Sequence, residues 1–236
     1  MKNTFKVVSI VFVAVFVFTA ATCFGQSGGG GRSFNNVEDL KKYLDSQPVN
    51  SPDKPIRVSM TINDPMLKNV ADVIKSAGKY VSLNITGNAL TAIPDNAFIE
   101  CETLVGITIP NSVKSIGEGA FAFCESLTSV TIPNSVTSIG GSAFSECTSL
   151  TSVTIPNSVT SIGDSAFSDC TRLTSVTFQG TIAADDLGGY RSSVSRFLDP
   201  FEGDLRDKYL AGGIGTYKTT TPVPEDSYWD PVWTKQ

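Results

Sequence analysis

Histidine is absent from all 236 residues. Its absence removes Ser-His-Asp and Cys-His nucleophile systems and every metal site that needs an imidazole. Basic clusters are missing too: 18 Lys and Arg stand scattered against 23 Asp and Glu, for a formal charge of −5. Such a balance does not draw in nucleic acid or anionic lipid by charge. Long apolar runs are also lacking. The run from Val7 to Phe18 falls short of the roughly 20 residues a membrane-spanning helix needs.

That run is preceded by Lys2 and Lys6 and followed by the small residues Ala20 and Ala21. Charged, apolar and small segments in this order predict a secretory signal peptide over residues 1–25. Cleavage between about Ala21 and Gln26 is the favoured outcome. Ala20-Ala21-Thr22-Cys23 also resembles a bacterial lipobox, although it lacks a Leu three residues before Cys23 and has Thr directly before it. By that route a lipid anchor on Cys23 is the one membrane attachment expected. Residues 26–33 are rich in Gly and Ser and read as a flexible linker.

What the chain does have is repetition. Residues 126–140 read SLTSVTIPNSVTSIG, and residues 149–163 read the same, 23 positions on. Cysteines fall at 101, 124, 147 and 170, phenylalanines at 98, 121, 144 and 167, and isoleucines at 93, 116, 139 and 162. A fixed period with apolar residues locked to it predicts a solenoid, in which each repeat buries its apolar face on its neighbours. Within the unit, Val130-Thr131-Ile132 alternates with the period of a strand, and Pro133 ends it for want of an N–H. The frame occurs six times, at 57–62, 80–85, 104–109, 127–132, 150–155 and 173–178. The rest of the unit lacks a helical period and predicts an irregular or 3₁₀ return placing Ile139, Ala143 and Phe144 in the core.

YVSLNITGNAL (80–90) fits the leucine-rich repeat frame L-x-x-L-x-L-x-x-N-x-L, with Tyr80 at the first Leu position and Asn88 at the Asn position. The later repeats, C-x-x-L-x-x-[IV]-x-I-P-N-S-V-x-S-I-G-x-x-A-F, resemble the BspA-like, or treponemal-type, leucine-rich repeat of bacterial surface proteins. They depart from the commoner classes by having no Asn at the usual ladder position. The resemblance implies a leucine-rich repeat solenoid of about six coils forming a parallel β-sheet, with a helical N-terminal cap and a short C-terminal cap.

Solenoid ends expose core and need such caps. NDPMLKNVADVIKSAG predicts a helix with Asp64 as N-cap, Pro65 at the first helical position and Gly78 as the stop. NNVEDLKKYLDS (35–46) predicts an outer helix with Val37, Leu40 and Leu44 turned inward. Together these make residues 34–79 an N-terminal helical cap with the first coil, ahead of repeats of 23–24 residues over 80–182. The register dissolves after Ile182, leaving 183–236 as the C-terminal cap. That segment resembles the end of treponemal family members and predicts a short helix over about 202–210 with an aromatic tail.

Motifs for chemistry are weak. A Cys₄ zinc site needs four sulfurs on one tetrahedron, whereas one cysteine per coil gives a row stretching over about 14 Å. Buried thiols are the reading favoured over zinc or a disulfide. The phenylalanine row predicts stacked core rings. GGIGTYKTT (212–220) looks like a phosphate loop but has no Gly directly before Lys218. Asp199, Glu202, Asp204 and Asp207 lack the alternating spacing of a calcium loop. No catalytic residue, metal or cofactor is expected.

Binding is therefore sought on the outward strand positions: Ser59/Thr61, Ser82/Asn84, Gly106/Thr108, Ser129/Thr131, Ser152/Thr154 and Ser175/Thr177. At the second position of the frame, Val58, Val81 and Val105 give way to Thr128, Thr151 and Thr174. The candidate surface is Val58, Val81 and Val105 with Thr61, Asn84, Thr108 and Thr131. The family resemblance points to non-enzymatic protein–protein interaction, including adhesion to host or matrix components. The valine rank supports an alternative, a small apolar ligand or lipid held in a hollow near the first coils.

Overall fold

The computed structural model describes residues 31–188, 199–201, 204–219 and 231–236. The signal peptide, Cys23, the start of the linker, Glu202 and Trp229 lie outside them.

Strands of the repeat frame lie side by side. The parallel order is β1 (Arg32–Phe34), β2 (Ile56–Thr61), β3 (Val81–Thr86), β5 (Leu104–Thr108) and β7 (Ser129–Thr131). A second group pairs β9 (Ser152–Ile155) with β11 (Ser175–Phe178), also parallel. Alternation governs burial: Leu83, Ile107, Val130, Val153 and Val176 face the core, while Thr108, Thr131 and Thr154 between them stay outside.

The return segments are not irregular throughout. Each opens with a two-residue strand: β4 (Ala92–Ile93), β6 (Ser115–Ile116), β8 (Ser138–Ile139) and β10 (Ser161–Ile162). These pair in parallel as a four-stranded sheet on the far side of the core. Two residues are too few to show a period of two, so the sequence did not announce them.

After β6, β8 and β10 the chain turns through a glycine, whereas Pro94 follows β4. A Cβ on Gly140 would lie 2.6 Å from Gly117 C, and one on Gly188 would lie 2.6 Å from Gly163 C. Coil backbones touch there, so only glycine fits. Inside, Phe98, Phe121, Phe144 and Phe167 stack at centroid distances of 5.3, 5.1 and 5.0 Å, with interplanar angles under 10°. Each offset pair contributes about 0.5–1.5 kcal/mol beyond its buried area.

The first coil replaces its return with helix α2 (Asp64–Ala77), and α1 (Val37–Ser46) packs outside it. Leu40, Leu44, Leu67, Val70 and Ile74 are buried. The N-cap of α2 is Asn63, one residue before the expected Asp64, and Pro65 follows as the second helical residue. Asp64 is the first helical residue, and its Oδ1 accepts the Thr91 N–H of the next coil at 3.3 Å. Gly78 ends the helix at φ +57°, the left-handed conformation that glycine adopts without strain.

At the far end the rung continues although the sequence register is lost. Leu187 bridges to Ile162 in parallel, and the Gly188 N–H donates to Ile162 O at 2.7 Å, as Gly163 does to Ile139 O at 2.8 Å. Phe167 N–H donates to Pro200 O at 2.7 Å, as Phe144 does to Ala166 O. Phe201 then stacks on Phe167 at 4.8 Å as a fifth ring. Helix α3 (Leu205–Gly212) locks this rung. Buried Arg206 donates to the carbonyls of Ala184, Leu187 and Gly188 at 2.8–3.1 Å. Tyr209 accepts the Ile182 N–H and donates to Gly180 O.

The stretch that looked like a phosphate loop is in part a strand, β12 (Gly215–Lys218), antiparallel to β11. It is followed by β13 (Thr234–Lys235) and the buried Trp233.

Candidate binding face

Register decides which side chains share the outward surface. β2 and β3 pair as Val58↔Leu83 and Ser59↔Asn84, so the first coil is slipped by two residues from the frame read in the sequence. The Val-Ser dipeptide at both 58–59 and 81–82 suggested the wrong alignment. A slip of two keeps every side chain on its own face, so the inward and outward sets survive.

The valine rank does not survive. Val58 and Val81 lie in the core cluster, aligned with Leu83 and Leu104 respectively. Val105 is an extra residue at a bulge between Val81 and Ser82 of the partner strand, and it is buried at 7% exposure. The three valines are therefore removed from the candidate surface. The apolar hollow they suggested is lost with them. The cavity near the N-terminal end, about 510 Å³, is lined mostly by polar residues, with Arg32, Asn35, Asn36, Asp39 and Lys42 around Phe34 and Tyr43.

Thr61, Asn84, Thr108 and Thr131 do face outward. Ser59, Asn84, Thr108 and Thr131 form one row by direct pairing. Thr61 belongs to a shorter neighbouring row, its hydroxyl 3.1 Å from that of Thr86. Asn84 Nδ2 donates to Ser59 Oγ at 3.2 Å, which fixes the amide along the row. A parallel row runs Arg57, Ser82, Gly106 and Ser129, and Gly106 leaves a notch between two hydroxyls. On the other strand group the same rows continue as Ser152-Ser175-Lys218 and Thr154-Thr177-Thr216. The face is thus hydroxyl-bearing and uncharged between Arg57 and Lys218.

The cysteines line the core. Cys124, Cys147 and Cys170 thiols donate to the carbonyls of Phe98, Phe121 and Phe144 of the preceding coil at 3.1–3.2 Å. None of the four forms a disulfide. Burial pushes the Cys101 thiol up to about 12 and the Cys124 and Cys147 thiols well above their usual range. A thiol held protonated is a poor nucleophile, because the thiolate is the reacting form. Among the described residues no cluster of Cys, Asp or Glu is placed to hold a metal. Of the acidic group near 199–207, Asp199 sits 3.9 Å from Arg206 Nε and Asp204 accepts the Trp233 N–H at 2.8 Å.

Two surfaces escaped the sequence reading. Outside β6, β8 and β10 lies a shallow groove of about 530 Å³, floored by Ser115, Ser138, Ser161 and the stacked glycines and rimmed by carboxylates. At the end of the return, Glu100, Phe123, Glu146 and Asp169 occupy equivalent left-handed positions at φ between +56° and +60°. Burial, then Asp169 and Glu125, hold the Glu146 carboxyl above its usual range. The 23-residue spacing of these acids was the available signal.

The stacked parallel coils define a leucine-rich repeat solenoid. Residues 76–186 match the family model of the BspA type leucine rich repeat region in six copies. Solved structures resemble parts of it. A leucine-rich repeat protein from Bacteroides ovatus ATCC 8483 is 38% identical over 42% of this chain and 25% of that one, with a TM-score of 0.38. One from Bacteroides capillosus ATCC 29799 is 36% identical over 39% and 65%, with a TM-score of 0.36. A leucine rich cell surface protein from Faecalibacterium prausnitzii A2-165 is 27% identical over 69% and 47%, with a TM-score of 0.39. The chain spans between 25% and 65% of the length of these three structures. No curated protein matches it. Among the described residues, no helix is long and apolar enough to cross a membrane.

Proposed function

We propose that this chain is an exported, non-enzymatic module that binds a protein partner through its outward strand face, in adhesion to host or matrix components. The observation that carries this reading is the face itself: hydroxyl rows, uncharged between Arg57 and Lys218, held in register on backbone ladders. Side chains this short lose little rotamer freedom on contact, so an extended partner can be met at a low ordering cost. The charged, apolar and small order of residues 1–25 supports export, with a lipid anchor on Cys23 as the route to a membrane. Charge balance speaks against nucleic acid as a partner.

The test is surface-immobilised mature chain against a panel of purified extracellular-matrix proteins. Thr108→Glu with Thr131→Glu buries two carboxylates in the interface and should abolish any binding found, while Lys68→Glu on the exposed face of α2 should not. Binding that survives the threonine pair would refute the strand face as the site.

A further inference from the structure

The tripeptide Leu-Thr-Ser starts three strand segments, at 127–129, 150–152 and 173–175. Thr128 N–H donates to Val105 O at 3.0 Å, and Thr174 N–H donates to Thr151 O at 3.0 Å. Their hydroxyls reach the same carbonyls at 3.1 and 3.4 Å. Among the described residues, Thr151 makes neither bond to Thr128. The strand ladder stops at the same place: one sheet ends at β7 and the next begins at β9, with no residue pairing between them. Val130 and Ile132 on the β7 side of the gap are 9% and 6% exposed, and Val153 and Ile155 on the β9 side are 3% and 1% exposed.

On the opposite side the same two coils are fully joined. β8 pairs with β10 in parallel. Thr160 N–H donates to Thr137 O and Gly163 N–H to Ile139 O, both at 2.8 Å, and Phe144 N–H to Ala166 O at 2.7 Å. The Phe144 and Phe167 rings stack at 5.0 Å.

We infer that the solenoid carries a hinge between its two identical repeats, with the pivot at β8–β10 and the opening between β7 and β9. Two coils bonded along one side and unpaired along the other can change angle without breaking the core stack. The outward face is then two plates, β1-β2-β3-β5-β7 and β9-β11-β12-β13, whose mutual angle can adapt to a partner's curvature. That last consequence rests on the proposed binding role; the hinge does not.

Amide hydrogen exchange on the unmodified mature chain tests it. Thr128, Thr151 and Thr174 have the same sequence neighbours, so their intrinsic exchange rates agree and any difference reports structure alone. Thr151 should exchange at least about tenfold faster than the other two, the signature of local opening. Gly163 and Phe144 should remain as protected as Gly140 and Phe121. Equal protection of the three threonines would overturn the hinge. So would fast exchange at Gly163 and Phe144, which would mean that the coils separate on both sides. In a second arm, oxidised Thr131→Cys/Thr154→Cys should slow Thr151 to the Thr128 rate, and a crosslinked chain with Thr151 unchanged would also overturn it. A chain that binds no matrix protein but shows fast Thr151 exchange would lose the proposed function and keep the hinge.

Discussion

Residues 126–140 and 149–163 agree in every letter and differ in structure, whereas Gly188, Pro200 and Phe201 repeat the rung contacts of Gly163, Ala166 and Phe167 without the repeat's sequence. The first copy has a three-residue strand paired backwards to β5, and the second a four-residue strand paired forwards to β11. Gly163 and Phe167, with three residues between them, are matched by Gly188 and Phe201, with twelve between them. In a solenoid, a residue's structure is set as much by the coil on either side as by its own sequence. A rung needs only a glycine where backbones touch, a carbonyl in the right place and a ring to stack.

The largest test of that comparison removes the imitation rung. Truncation after Ile182 uncovers Leu173, Val176 and Phe178, the last of which packs on Phe201, Tyr209 and Tyr217. The truncated chain should aggregate, whereas a soluble, cooperatively melting product would make the C-terminal segment an appendage.

Next come the glycines. Gly140→Ala and Gly188→Ala place a Cβ about equally close to the preceding backbone. Each should cost about 3 kcal/mol in chemical denaturation, at the upper end for overpacking, since backbone cannot rotate away. A Gly188 variant of wild-type stability would show that the rung at 188 is not load-sharing with the repeats.

Phe201→Ala should cost about 3–5 kcal/mol, similar to Phe144→Ala, if its ring is truly the fifth of the stack. A loss under about 1 kcal/mol at Phe201 alone would separate the two regions again.

The smallest effect is electrostatic and confined to one repeat copy's end. Because Glu146 is held above its ordinary value, the folded chain binds that proton more tightly than the unfolded chain does. The resulting stability is fully present below about pH 4.3 and is lost as pH rises through the raised value. Glu146→Gln should therefore raise the melting temperature near pH 7 and leave it unchanged near pH 3.5. An equal shift at both pH values would indicate packing rather than charge.

The sequence by itself determined the repeat: period, inward and outward residues, the phenylalanine and cysteine rows and both N-terminal helices follow from residue type recurring at fixed spacing. Apolar residues recur because each coil presents the same problem of burial to the next, and that problem is local enough to read. Only the tertiary structure decided what depends on the neighbouring coil. Val58 pairs with Leu83 rather than with Val81 because α2 lengthens the first coil and shifts the register by two, a sum that no single motif carries. Val105 was buried by a bulge that exists only when β5 meets β3. Leu187, Gly188, Pro200 and Phe201 became a rung because Arg206 and Tyr209 supply donors to the backbone there and Phe167 offers a ring to stack on. Hydrogen-bond partners and contact surfaces of this kind come from residues remote in sequence, so a reading of the chain alone holds no record of them.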